Sequence, residues 1–249
     1  MANIDAAALA LGPRRHGKSR PVSRRGPRTL SRAAIVDAAL QVLDAEGLDA
    51  VTMRRVAQAL NTGPASLYAH VADKDEMVQL VFDRVLSEVE YPQQIDAERW
   101  DEQLKDVCRS VRAALGRHRD IARAGLGNIP TGEGALPGMN AIVGLILAGG
   151  VSERVASLSV DILGLYLTAT AYEESLDSFP GSEKASEDFH VELQNFFISL
   201  PVEKYPYLHM LAGPLTDGDG DHRFEFGLDI LVRGIASTVQ ADGRPTGVS

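Results

Sequence analysis

Between Thr52 and Lys74 the chain reads TMRRVAQALNTGPASLYAHVADK, and what this stretch can fold into constrains everything around it. Met53, Val56, Ala57 and Leu60 recur at helical spacing, and Thr52 stands where a side-chain oxygen can cap a first turn. A short helix is therefore predicted, with Arg54, Arg55 and Gln58 on its outer face. Asn61, Thr62 and Gly63 interrupt it. Pro64 suits the first position of a second helix, where its missing N–H costs nothing, and Leu67 with Val71 forms that helix's only inward stripe. Two turns of helix do not hold themselves together in water, because nucleation is costly and few hydrogen bonds repay it. Neighbours must hold it, which leaves Ala65, Ser66, Tyr68 and His70 on a free face. Those small or hydrogen-bonding side chains can lie against base edges and phosphates in a major groove. Asp73 and Glu76 have the spacing of a capping box, so Lys74 falls at the start of a further helix, placed for a phosphate. The competing reading of the same residues is a plain helical corner.

Net charge argues against a nucleic-acid partner until it is divided. The 249 residues carry 25 Lys and Arg against 34 Asp and Glu, a net charge of −9. Residues 13–32 hold eight of those bases (Arg14, Arg15, Lys18, Arg20, Arg24, Arg25, Arg28 and Arg32) and no acid. The other 17 bases face all 34 acids, so the remainder is −17. An acidic body should repel nucleic acid, whereas the basic segment and the predicted helix pair should attract it. Gly12, Pro13, Gly17, Pro21, Gly26 and Pro27 punctuate residues 1–30, which are expected to form a disordered basic arm. Such an arm can follow phosphates or enter the minor groove, or it can simply raise non-specific affinity.

One Cys excludes an intramolecular disulfide and a four-Cys metal site, which fits a reducing cytoplasm. No apolar run approaches the roughly 20 residues of a bilayer span, and the apolar stretch Ala6 to Leu11 precedes the basic one, the reverse of a secretory signal. A cytoplasmic protein without a membrane partner is expected.

Helical periodicity continues along the chain. Ser31 can cap a helix with Ile35, Val36, Ala39, Leu40 and Leu43 inward, ended by Gly47. From Asp75 to about Glu90 a longer helix has an apolar face wider than a surface helix needs: Met77, Val78, Val81, Phe82, Val85, Leu86 and Val89. It should pack on two sides and act as a lever between two parts. A helix from about Ala97 to Arg117, a Gly/Pro-rich corner to Gly138, a helix over Met139 to Ala148 and a long one from Ser152 to about Ser175 follow. Phe179 to Ser186 is expected as a polar loop before a helix to Leu200, residues 201–220 as an irregular connection, and the last helix as Asp221 to about Val239.

The ordered set Ile35-Val36-Asp37-Ala38-Ala39-Leu40, Gly47 to Arg54, Val56 to Leu60, and Leu67-Tyr68-Ala69-His70-Val71 followed by Lys74 resembles the DNA-binding domain of the TetR (tetracycline-repressor) family of bacterial regulators. His118-Arg119-Asp120, Gly150-Val151-Ser152 and Phe226 to Ile235 resemble the tetracycline-binding branch of that family, so the resemblance spans about residues 31–240. It implies an all-α chain: a three-helix helix-turn-helix domain over 31–77, then a connecting helix into a larger ligand-binding and dimerisation domain over 78–240, with a flexible tail at 241–249. It implies DNA contacts at Thr52, Arg54, Ser66, Tyr68, His70 and Lys74, with Arg54 reading a base while Tyr68 and Lys74 grip phosphates, and the free face adds Ala65 to them. It implies a homodimer built from the long and last helices, whose reading helices would lie about 34–36 Å apart on a palindromic operator.

The departures from that branch carry information as well. Gly125 stands where the branch has a metal-ligating His, Val107 and Val111 stand at drug-contacting Asn and Phe, and Glu90 replaces a drug-contacting His. A magnesium–tetracycline chelate has lost its ligands, and a more apolar small-molecule effector is expected. No metal or cofactor is expected: the six His show no ligand spacing, and the acidic run Asp217, Asp219 and Asp221 lacks the Gly and the final Glu of a calcium loop. Cys108 lies on an inward face and reads as a small hydrophobe. Trp100, Val107, Cys108, Val111, Leu126, Met139, Tyr166, Tyr172 and Glu173 are the pocket candidates. No convergent acid, base and nucleophile point to an enzyme. The functional expectation is a repressor released from its operator by a small effector; the alternative is a DNA-binding regulator that answers to a protein partner or has no ligand.

Overall fold

A computed structural model describes residues 30–126, 130–177, 182–217 and 220–239, all of whose regular elements are helical. The expected basic arm and C-terminal tail lie outside these residues. The first helix, α1 (Arg32–Glu46), starts where Ser31 Oγ accepts the Ala34 N–H at 3.2 Å. It buries Ile35, Ala39 and Leu43 completely and ends at Gly47, whose φ of +91° disfavours any residue with a Cβ. A single 3-10 turn, Leu48–Ala50, leads to α2 (Met53–Ala59), capped by Thr52 Oγ1 on the Arg55 N–H at 3.1 Å. Asn61 takes a left-handed φ of 53° to turn the chain, and α3 (Pro64–Leu67) is one turn of helix. Leu67 and Val71 are buried and hold it down.

Helix α4 (Lys74–Leu86) begins with Asp73 accepting the Glu76 N–H at 2.8 Å, and Glu76 reaches back to the Ala72 N–H at 2.5 Å. It stops four residues short of the expected Glu90. Ser87 Oγ turns back onto the Arg84 carbonyl at 2.6 Å, an alternative to the helical ladder, and Glu88 is held by side chains from elsewhere. Both predicted sides of α4 are packed, one against α1 and the other against α5 (Trp100–Gly116) and the short α6 (Ala122–Gly125).

Helix α5 buries Leu104, Val107, Cys108, Val111 and Leu115 along one stripe and packs on α4, α7 (Leu136–Ala148), α8 (Glu153–Asp177) and α12 (Gly220–Ala236). Its other face pairs with acids on α8 and α12. Lys105 meets Asp229 at 2.7 Å, Arg109 forks onto Glu225 with two 2.8 Å bonds, and Arg112 bridges Glu174 and Asp221 while lying 4.4 Å from the Phe224 ring centre. Those pairs hold the carboxylates of Glu225 and Asp229 below their usual range, chiefly through the bonds from Arg109 and Lys105. Hydroxyls buried in α8 are satisfied within the helix: Ser159 donates to the Val155 carbonyl at 2.8 Å and Ser175 to that of Tyr172 at 2.7 Å.

Several boundaries differ from the sequence expectation. Helix α7 starts at Leu136, three residues before Met139, because Pro137 and Gly138 fit inside a first turn where no N–H is needed. Helix α9 (Ser182–Ser199) starts inside the expected polar loop, whose Phe179 lies outside the described residues. Residues 201–220 are not simply irregular but contain α10 (Pro206–Met210) and α11 (Ala212–Thr216). Among the described residues α8 is, by length and composition over 153–176, apolar enough to cross a membrane, with mean hydropathy 1.3, contrary to the expectation from apolar runs. Its Leu, Ile, Val and Ala raise the average, while interspersed Gly, Ser, Thr and charged residues keep them from forming an unbroken run, and its inner face packs on α5, α6, α7 and α12.

Gly125 sets the closeness of α4, α6 and α8, since a Cβ there would stand 2.6 Å from both Phe82 and Thr168 side chains. Gly125→Ala is expected to lower stability by about 1–3 kcal/mol through overpacking, read as a drop in the thermal or urea midpoint.

Candidate functional site

The turn between α2 and α3 carries an exposed surface built from residues that pack with their other sides. Arg54, Ala65, Ser66 and Tyr68 are exposed, Tyr68 at 55%, while Thr52, His70 and Lys74 are half-exposed. Within the described residues Arg54, Tyr68, His70 and Lys74 form no ion pair and no side-chain hydrogen bond. The neighbouring Arg55 is different. Glu46 at the end of α1 takes its Nε at 3.0 Å and its Nη2 at 2.5 Å, raising the guanidinium's affinity for its proton and lowering that of the carboxyl. The sequence placed both arginines outward; the fold commits one to an internal pair and leaves the other for solvent. Thr52 also has a structural task, since its oxygen caps α2, but its O–H remains a donor.

In the body of the chain a cavity of about 290 Å³ lies between α4, α5, α6, α7 and α8. Phe82 and Leu86 on α4, Val111 and Leu115 on α5, and Met139 and Ile142 on α7 make it largely apolar. Polar groups are few. Ser157 and Thr168 donate to carbonyls one turn back in α8, which leaves the Tyr91 hydroxyl and the Asp161 carboxylate without a hydrogen-bond partner among the described residues. Burial pushes the Tyr91 phenol above its usual range. A cavity of this kind suits a molecule that is mostly apolar and carries one or two hydroxyl or carbonyl groups.

Of the pocket candidates from the sequence, Val111 and Met139 line this cavity. The others stand elsewhere. Val107 and Cys108 are buried in the α5 stripe, the Trp100 ring lies against Gly149, and Leu126 is exposed at 37% after α6. Tyr166 donates its hydroxyl to the Phe224 carbonyl at 2.8 Å and stacks on that ring, Glu173 is exposed opposite Arg223 at 3.6 Å, and Tyr172 is half-buried on α8. Tyr166 and Glu173 border a second, smaller hollow of about 200 Å³ beside Phe224. Val107 and Val111 match drug-contacting positions of the resembled branch, of which only Val111 faces the cavity, and the aromatic candidates Trp100 and Tyr166 serve packing instead. Phe82 and Leu86 were missed as lining residues, although the excess width of their helix's apolar face was the signal for them.

A belt of polar contacts joins the segment before α6 to the end of α1. His118 stands between Asp44 at 3.0 Å and Glu88 at 3.2 Å; Asp120 accepts the Leu48 N–H at 2.8 Å; Arg119 donates to the Ala45 carbonyl at 3.1 Å; Arg123 pairs with Asp49. The cavity and the exposed α2–α3 surface are therefore linked by two routes, helix α4 and this belt.

Two family models match the chain: "Bacterial regulatory proteins, tetR family" over residues 35–81 and "Tetracyclin repressor-like, C-terminal domain" over residues 91–239. The chain is 30% identical over 216 residues to the HTH-type transcriptional repressor DrrR1 of Streptomyces coeruleorubidus, covering 85% of this chain and 79% of that protein. The crystal structure of apo ActR from Streptomyces coelicolor superimposes with a TM-score of 0.77 and 42% identity, over 85% of this chain and 99% of ActR. The structure of ActR in complex with actinorhodin gives 0.77 and 45%, over 84% and 97%.

Burial raises the Cys108 thiol to about 12, so at pH 8 only about one molecule in ten thousand carries the thiolate. Cys108 is expected to stay unlabelled by a thiol-specific reagent in the folded protein and to react once the chain is unfolded, which mass spectrometry would show.

Proposed function

The chain belongs to the TetR family of DNA-binding transcriptional regulators, and on that premise we propose that it is a homodimeric repressor released from a palindromic operator by a small, largely apolar effector. The observation that carries this reading is the pairing of an apolar cavity with an unpaired reading surface, joined through one helix that lines the first and begins at the second. DNA contacts are assigned to Thr52, Arg54, Ala65, Ser66, Tyr68, His70 and Lys74. The folded domains are assigned to residues 31–77 and 78–240, and the site of action to the cytoplasm.

An exposed apolar face supports the dimer. Leu158, Ile162 and Leu165 on α8 and Phe226 and Ile230 on α12 are each at least half exposed, and Gly164 and Gly234 beside them leave open space for close helix approach. A second copy of the same two helices would cover that face with two-fold symmetry. Ile162→Glu is expected to convert the dimer to monomer at micromolar concentration in sedimentation analysis, and to abolish two-fold operator binding with it.

Effector chemistry follows from the cavity lining. Its walls are aliphatic and aromatic, with Tyr91 and Asp161 as the polar groups to orient a ligand, and no arrangement there resembles a chelate site. Actinorhodin, bound by the similar ActR, is the first compound to try. Binding only to the folded dimer would raise the melting temperature. Release requires that the ligand prefer one of two conformations, and the shift cannot exceed that difference in affinity.

The decisive measurement is binding of the full-length protein to DNA from upstream of its own gene, titrated with salt beside an unrelated duplex. Selective binding with a two-fold footprint is expected. Arg54→Ala should cost about 1–3 kcal/mol and relax specificity at one base pair. Lys74→Ala should weaken all duplexes alike and reduce the salt slope by about 0.9. Equal binding to both duplexes would remove the repressor reading for that promoter, and normal operator binding by Arg54→Ala would displace Arg54 from the reading surface.

A further inference from the structure

Helix α7 has no side-chain cap of its own, because Ala135 occupies its N-cap position. The cap is supplied across the fold. The two carboxylate oxygens of Asp83, in the last turn of α4, accept the Gly134 N–H at 3.0 Å and the Ala135 N–H at 2.9 Å. Asp83 has no ion-pair partner among the described residues, so these two amides and the positive end of α7 are what face its charge. The approach has no slack. A Cβ on Gly132 would stand 2.1 Å from Asp83 Oδ1, and one on Gly134 would stand 2.2 Å from the Asp83 carbonyl oxygen.

The contact lies at the edge of the cavity. Phe82 and Leu86, one residue before and three after Asp83, form the cavity wall on α4; Ala135 and Met139, at the start of α7, form the wall opposite. Asp83 therefore clasps two walls that a molecule in the cavity would touch together. The same helix begins at Lys74, one of the residues assigned to the DNA-facing surface.

We propose that Asp83 is the positioning residue that ties the angle of α4 to the start of α7, so that a displacement of the α7 wall reaches the reading surface through this carboxylate. This rests on the repressor reading above. It predicts thermodynamic coupling in both directions, because a duplex that selects one position of α4 must also select one state of the clasp. A cap that only anchored α7 would not respond to DNA.

Amide hydrogen exchange over residues 132–136 tests it without any effector. The probe is a duplex that the wild-type protein itself selects from a random pool. Binding of that duplex is expected to change wild-type exchange at Gly134 and Ala135 by about threefold or more, although both lie outside the DNA-facing surface. Asp83→Asn, which keeps the side chain's size but cannot satisfy both amides, is expected to bind the duplex yet show no such change, with exchange over residues 104–115 as the control for intact folding. Selective duplex binding with unaltered exchange at residues 132–136 in the wild type overturns the proposal while leaving the repressor reading standing, whatever the variant does. An equal change in Asp83→Asn also overturns it. A wild-type protein that selects no duplex overturns the repressor reading and the proposal with it.

Discussion

A helix of four residues has almost no hydrogen-bond ladder, so the position of Pro64–Leu67 is decided by what Leu67 and Val71 are buried against. Their burial fixes the orientation of every side chain on the opposite face. Residues next to them in sequence are exposed because these two are not, and the outward Tyr68 follows from the inward Leu67. The caps around this element serve the same end: Thr52, Asn61 and Asp73 each close or turn a helix end where the sequence has little length to spare. A surface built this way is rigid only as long as Leu67 and Val71 remain buried beneath it.

Helix α4 is shared between that packing and the cavity, and this explains its composition. A helix with one buried side needs a narrow apolar stripe. Val81 and Val85 are wholly buried while Phe82 and Leu86, one position on, line the cavity. The belt around His118 supplies a second attachment between the same parts, made of ion pairs and backbone bonds instead of apolar contact. Apolar packing tolerates sliding, whereas hydrogen bonds to fixed backbone groups are satisfied in one register. The belt and α4 thus constrain different motions of the same domain.

Helices with strong periodicity were legible: α1, α2, α5 and α12 lie within a few residues of where spacing alone puts them. Glycine and proline misled at α7 and in residues 201–220, because a proline that breaks a helix interior is at home in a first turn, and spacing cannot say which of the two it is. The end of α4 was set by a local competition at Ser87 together with tertiary bonds to Glu88, neither of which periodicity can register. The exposed α2–α3 corner was legible because its motif is local, a cap, a turn and a second cap in 23 residues. The cavity was not, because its walls come from five helices far apart in sequence. Aromatic side chains such as Trp100 and Tyr166 draw attention in a sequence, yet here they fill space, and the cavity is lined mostly by aliphatic residues together with Phe82 and Tyr91.

Gly125 has a bearing on how a cavity of this kind changes its chemistry over time. In the tetracycline-binding branch that the sequence resembles, the equivalent position holds a His that binds metal. Here the first atom of any side chain would meet Phe82 and Thr168 at 2.6 Å. A metal ligand at this position therefore needs more than its own substitution: the Phe82 and Thr168 side chains, both of which line the cavity, would have to shift with it. The room left beside Gly125, as much as the identity of any lining residue, makes one ligand chemistry reachable and another remote.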